Sequence, residues 1–424
     1  MNQVIVAGAI ARRPQCGGHA WVFLQYLLGF KRLGCEVLFL DRLEPTTCVD
    51  AAGTPCPAEQ AENVRYFIDV MQRFGLAGSF ALKVGDDRPF IGVPREAVLR
   101  RVRESEFLLN IMGYMNDEEI LACARRRVFL DIDPGLGQMW RELGQADVFK
   151  GHDDFVTIGE RIGQPECAIP TCGLKWIATP QPIVLQQWPL RPPQADGALA
   201  SIGAWRGSNA PVEYRGHTYG LRVHEFRKFV QLPKKVNGTI AREDGLSSPS
   251  TKNITARGAG TRVTAGEGYP PGKRSTRFEM ALDIHPADAK DIELLRSNGW
   301  SIVDPKEVAG RPEEYRAYVA RSKAEFMVAK NLYVDTKSGW FSDRSICYLA
   351  SGRPVLAQDT GIKHLYPTGE GLFTFSTLDE ALAGVEEING NYPRHCKAAR
   401  EIAVEYFDSD KVLKRLMEDL GLGP

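Results

Sequence analysis

Apolar residues fall along the chain as short continuous runs separated by longer stripes of helical period. Residues 3–9 form a run of strand length. The stretch 19–33 then puts Trp21, Leu24, Leu27 and Leu28 on one helical face, with Gly34 as its stop. Residues 36–41 are a second short run around Val-Leu-Phe-Leu. A helix of this length between two buried strands predicts a βαβ unit with a parallel sheet. The alternation continues with helices at 58–74, 95–104 and 117–126. Strands are predicted at 107–112 and 127–132, and a last one at 182–185.

Pro180, Pro182, Pro189, Pro192 and Pro193 cluster ahead of the small polar stretch 194–197, which reads as a linker. The pattern therefore predicts a first unit over 1–190, a linker at 191–197 and a second unit over 198–407. A final helix within 408–424, capped by Asp408, Ser409 or Asp410, packs back on the first unit. The second series has strands at 198–204, 278–284, 300–303 and 325–329, with helices at 288–298, 312–322, 378–389 and 395–406. Between them, residues 338–361 read as a turn at Ser338 and Gly339, caps at Ser342 and Asp343, and a helix from Asp343 to Ala350. Gly352 and Pro354 stop that helix, and a short strand follows at 355–357. One segment breaks the alternation. Residues 234–277 are rich in Gly, Ser, Thr and Pro, with nine Lys/Arg against three Asp/Glu. They read as a basic insertion of low order.

The 424 residues exceed what one ordinary core organises. Lys+Arg equals Asp+Glu, so no global field draws nucleic acid or anionic membrane to the surface, and no apolar run reaches membrane length. Met1 to Gly8 leads straight into strand, so no leader is expected and the cytoplasm is the expected compartment. The nine cysteines contain no Cys-x-x-Cys pair, Cys167 and Cys172 being nearest in sequence, which suits free thiols in a reducing environment. There is no Gly-x-Gly-x-x-Gly after the first strand and no Walker-type Gly-Lys-Ser, which argues against dehydrogenases and NTPases.

Two stretches carry candidate chemistry. The helix start at Ser338, Gly339 and Ser342 offers unpaired N–H groups to an anion, and Arg344 and Ser345 add a cation and a hydroxyl. Asp131-Ile132-Asp133 ends a predicted strand, where residues two apart share a face. Its position before Pro134-Gly135 favours a turn or hydrogen bonding over a metal ion.

Two tandem Rossmann-like units, a Pro-rich linker and a terminal helix resemble the GT-B architecture of nucleotide-sugar glycosyltransferases, with the units facing each other across a cleft. Gly17-Gly18-His19, after the first strand, resembles the Gly-Gly-His loop of the peptidoglycan N-acetylglucosaminyltransferase and the Gly-His loop of family 1 transferases. Ser338-Gly339-Trp340-Phe341-Ser342, with Gly352-x-Pro354 and Asp359-Thr360 behind it, resembles the donor signature of family 1, although its spacing is two residues longer and Thr360 replaces a Gln. The resemblance implies a sugar transfer from a nucleoside diphosphate sugar to a hydroxyl-bearing small molecule of natural-product type, with no cofactor beyond that co-substrate and no metal. It implies His19 as general base, with Asp117, Asp131 or Asp133 as its acidic partner. The diphosphate would lie on Ser338, Gly339, Trp340, Ser342, Arg344, Ser345 and Arg206, while Asp359 and Thr360 hold sugar hydroxyls. His285 and Lys330 are further nucleotide contacts. Retaining transferases of family 4 carry two glutamates where Gly339 and Cys347 stand here, so inversion is expected. The alternatives are a nucleotide-sugar epimerase of the same architecture, and a DNA-modifying transferase or nucleic-acid-binding protein that uses the basic insertion.

Overall fold

Two parallel sheets grow from the apolar runs. The structure, a computed structural model, describes residues 2–86, 88–207, 210–245 and 275–423. The first sheet contains β1 Gln3–Gly8, β2 Glu36–Leu43, β3 Phe80–Val84, β4 Ile91–Gly92, β5 Phe107–Ile111, β6 Arg127–Asp131, β7 Asp154–Thr157 and β8 Trp176–Ala178. Its order is β4-β3-β2-β1-β5-β6-β7-β8, parallel except for the short β4. Next come β9 Leu199–Ala204 and a hairpin of β10 Val212–Tyr214 and β11 His217–Tyr219. The remaining strands are β12 Phe278–Asp283, β13 Trp300–Val303, β14 Ala324–Met327, β15 Val355–Gln358 and β16 Leu372–Phe375. Without the hairpin they form a parallel sheet in the order β13-β12-β9-β14-β15-β16. Strand order reverses between β1 and β5 in one sheet and between β9 and β14 in the other. At such a reversal the loops diverge and leave a crevice at the carboxyl ends of the strands.

Three expectations change. Residues 182–185 are not a strand, and Ile183 alone bridges to Asp408. Pro180 and Pro182 lack the N–H groups that would extend a ladder. Conversely, β3, β4, β7, β8, β10, β11 and β16 lie outside the predicted strands, each being a run of only two to five residues. The predicted low-order segment begins as a helix, Leu232–Gly245. Leu232 and Val236 bury in the second core, and Asn237 exchanges two hydrogen bonds with the Thr276 backbone, at 2.9 and 3.1 Å. The rest of the predicted insertion, 246–274, lies outside the described residues.

The two halves meet through the first helix, Gly17–Arg32. Its start is pressed on the helix Pro312–Arg321 so closely that a Cβ on Gly17 would stand 2.3 Å from the Arg311 carbonyl oxygen. Trp21 donates its indole N–H to the Pro312 carbonyl at 2.8 Å and packs on Trp188, which in turn meets Tyr315 edge-on. The linker is fixed by the fully buried Arg353, whose guanidinium donates to the Pro192 and Ala320 carbonyls at 2.9 and 2.7 Å. At the other end the helix Ser409–Asp419, capped by Asp408, crosses back onto the first helix. There Leu413 fills the space left by Gly29, where a Cβ would lie 2.4 Å from it.

Leu413 is wholly buried, whereas the neighbouring Arg32–Asp410 pair is more than a third exposed. Leu413→Ala should therefore cost about 2–4 kcal/mol, and Arg32→Ala under about 1 kcal/mol. Equilibrium urea unfolding of the two variants checks that order.

Candidate active site

In the first half the loop after β1 is held from two sides. Ala11 N–H donates to Asp41 at 2.8 Å, and Asn63 donates to the Ala11 carbonyl at 2.9 Å. Asp41 is fully buried with its Oδ1 unpartnered, and burial lifts its carboxyl from the usual range to about 8. The loop after β5 turns through two consecutive left-handed residues, Met112 (φ 55°) and Gly113 (φ 66°), an arrangement that costs of order 1 kcal/mol at Met112. The turn delivers Tyr114 within electrostatic reach of Arg12, Arg13, Asp41 and Asp133, while its own burial raises its pKa.

His19 sits between these loops. Its Nε2 lies 2.8 Å from the Ala9 carbonyl, so Nε2 carries the proton and Nδ1 keeps the lone pair. Burial and the nearby Arg13 and Arg12 lower its pKa to about 4. A neutral imidazole this weakly basic accepts a hydrogen bond from a hydroxyl but is a poor match for a general base near neutrality. Its expected acidic partner is replaced by a backbone carbonyl. Asp117 caps the helix Glu118–Cys123 and pairs with Lys83. Asp131 accepts from Gln138 Nε2 at 2.6 Å and from the Asp133 N–H at 3.2 Å, and burial raises its pKa to about 7. Gly17 and Gly18 are spent on the contact with Arg311 and Tyr315.

Asp133 points the other way, across the cleft. Both its oxygens lie 2.9 Å from Lys330 Nζ, and the Tyr333 hydroxyl donates to it as well. Lys330 follows β14, on one flank of the second half's crevice. Arg206 follows β9, where it pairs with Asp288 through Nε at 3.0 Å. These two cations, with Leu136 of the first half and Gly207, Ala210, Gly220 and Leu332, line a crevice between the halves. Two residues after Gly220, Arg222 lies on Gly203, where a Cβ would stand 2.6 Å from a guanidinium nitrogen. Its Nε and Nη2 are buried without a hydrogen-bond partner, and burial beside Arg344 lowers its pKa to about 9.

The 338–361 stretch is used differently from the expectation. Ser342 caps the helix Asp343–Ala350. Arg344 turns into the sheet, donating to the Ile202 carbonyl at 2.8 Å and pairing with the wholly buried Glu325. Ser345 is buried with its hydroxyl unpartnered. Ser338 Oγ accepts the Trp340 N–H at 3.2 Å, and the Gly339 N–H (φ 72°) donates to the Thr360 carbonyl at 2.8 Å. Thr360 in turn donates its hydroxyl to the Trp340 carbonyl at 2.6 Å. Asp359 accepts the Gly361 N–H at 2.8 Å and pairs with Lys363 at 3.0 Å. Ser338, Gly339, Trp340 and Thr360 thus tie two loops together through backbone and hydroxyl hydrogen bonds. Trp340 stacks on Tyr333 at 4.2 Å, which supports the hydroxyl that holds Asp133. His285 Nδ1 accepts the Ala287 N–H at 3.1 Å and so closes a turn. Arg222 and Tyr333 carry no motif, and Lys330 is marked only as a strand end. Among the described residues no three His, Cys, Asp or Glu side chains converge on one point.

Two Rossmann-like units that face each other through the carboxyl ends of their strands define the GT-B fold, and this chain has it. No family model and no curated protein matches the sequence. Solved structures do match along almost the whole length. An alpha-glucosyltransferase in complex with UDP-glucose and DNA containing an abasic site aligns at TM-score 0.55 and 12% identity, over 99% of this chain and 98% of that one. HepE from Anabaena in complex with UDP-glucose aligns at 0.55 and 10%, over 99% and 100%. Sucrose-phosphate synthase from Thermosynechococcus elongatus aligns at 0.51 and 11%, over 99% of both.

Two predictions follow from the buried charges. Arg222→Met should raise the melting temperature, because it removes a buried cation with two guanidinium nitrogens that lack hydrogen-bond partners. Differential scanning calorimetry of the variant beside the wild type reads the effect. Asp41, Asp131 and Glu160 are all raised by burial, to about 8, 7 and 7. The folded state then holds protons that the unfolded chain has released, so stability is greatest below about pH 4 for these groups and is lost as pH rises towards 8. Asp41→Asn should flatten that slope in thermal melts taken from pH 4 to 8.

Proposed function

We propose that this chain is a glycosyltransferase that moves a sugar from a nucleoside diphosphate sugar to a hydroxyl-bearing small molecule. The observation that carries the reading is the cation set at the β9/β14 reversal. Arg206 and Lys330 flank the crevice, and Arg222, two residues beyond its lining residue Gly220, keeps two guanidinium nitrogens without hydrogen-bond partners. A departing diphosphate gathers negative charge as its bond to the sugar breaks, and fixed cations lower the barrier by meeting that charge. Structures in complex with UDP or UDP-glucose share the fold, which supports uridine as the base. Side-chain cations supply the charge neutralisation that a divalent ion would otherwise provide, in keeping with metal-independent transfer. Gly339 and Cys347, where an acid pair would stand, favour inversion at the anomeric carbon. His19, neutral and fixed by Ala9, accepts from a substrate hydroxyl through Nδ1. Nine free thiols fit a reducing cytoplasm. Among the described residues no helix is long and apolar enough to cross a membrane.

A second reading makes DNA the acceptor, since two of the similar structures hold DNA. The balanced charge of this chain favours the small molecule.

A thermal-shift screen of nucleotide sugars tests the first step. A donor present at about a hundred times its Kd should stabilise the protein by roughly 2.7 kcal/mol. Lys330→Met should abolish most of that shift, whereas His19→Ala should leave donor binding within about twofold and slow transfer by about tenfold. Absence of any shift across the screen would refute the donor assignment. Turnover of the donor without an acceptor would indicate an epimerase or hydrolase, and the anomeric proton coupling of the product reports the stereochemistry.

A further inference from the structure

We propose that Asp133 is the proton acceptor of the reaction and that Lys330 holds it idle until a donor phosphate displaces it. The inference rests on the donor reading above. Asp133 and Lys330 come from opposite halves, and each keeps about a quarter of its side chain exposed, at 27% and 26%. The carboxylate offers the ammonium group two oxygens at equal distance, as a phosphate would. It thus occupies the place that the leaving group needs.

Asp133 stands on a rigid turn. Its N–H donates to Asp131, and Asp131 is bound by Gln138, whose own carbonyl accepts the Gly135 N–H at 2.8 Å. Gly135 adopts φ 112°, which a side chain would strain. Once Lys330 is withdrawn, the carboxylate therefore stays at the cleft, beside the Tyr333 hydroxyl and within reach of Tyr114. A diphosphate carries more charge than a carboxylate and is met by Arg206 as well, so it outcompetes Asp133 for the point charge of Lys330.

The exchange couples two requirements. The acceptor O–H breaks and its proton passes to an Asp133 oxygen, while the acceptor oxygen bonds to the anomeric carbon. The bond from that carbon to the diphosphate oxygen breaks, and its electron pair leaves with the diphosphate, now held by Lys330. The carboxyl group then gives its proton to water. The base is free only when the leaving group is already neutralised.

Titration calorimetry with UDP and GDP on the full chain, with small-angle scattering of the ligand-free proteins, tests this. Asp133→Asn should bind the nucleotide about three- to tenfold more tightly, because its competitor is neutral, and should turn over UDP-glucose at least about a hundredfold more slowly. Lys330→Met should weaken nucleotide binding by at least about tenfold. Both variants should show a larger radius of gyration than the wild type, since each removes a bond between the halves. Asp133→Asn binding no tighter than wild type, or identical scattering from all three proteins, would overturn the exchange. Wider variants with no nucleotide bound by any protein would overturn the donor reading and the exchange with it, leaving only a cross-half ion pair.

Discussion

The contact between Gly17 and the Arg311 carbonyl sets the geometry of everything else. The helix Pro312–Arg321 can lie on the first helix only because neither Gly17 nor Gly18 has a side chain there. That approach, reinforced by Trp21, Trp188 and Tyr315, fixes how the two sheets face one another. Asp133 at the end of β6 then comes opposite Lys330 at the end of β14. Any substitution that pushes the halves apart at Gly17 would separate the charged groups many residues away. The same pair of glycines that resembles a substrate loop in other transferases is here a joint.

The charges divide in an informative way. The second half keeps Arg206 and Lys330 beyond its strand ends, and the first half keeps carboxyls under its loops. Asp41 and Asp131 are buried and shape backbone, and burial raises both pKa values. Arg344 is likewise consumed, by Glu325 and the Ile202 carbonyl. Arg222 is the exception, a buried guanidinium with two nitrogens that lack hydrogen-bond partners. A protein that keeps such a group loses stability at that position.

The helix start at Ser342 is as the residues suggest, since a serine ahead of Asp343-Arg344-Ser345 caps a backbone N–H wherever it sits. Its neighbours are another matter. Asp359 and Thr360 belong to a turn closed by Lys363, Gly361 and the Trp340 carbonyl. The stretch 338–361 therefore supplies the ring on which Tyr333 stacks. The cations that line the crevice, Arg206 and Lys330, belong to separate loops and share no spacing.

By itself the sequence determined the two α/β series, most strand and helix positions, the linker prolines and the final capped helix. Those features depend on local period, on the missing N–H of proline and on caps, all of which act within a few residues. It also singled out Asp133 and His19 as chemically able groups. Only the tertiary structure decided what each of them touches. Whether a histidine is a base depends on the Ala9 carbonyl and on burial, and whether an aspartate is free depends on a lysine 197 positions further along the chain. Pairings of that kind arise from the order of strands and the packing of the halves. Neither leaves a periodic trace in the residues that make them.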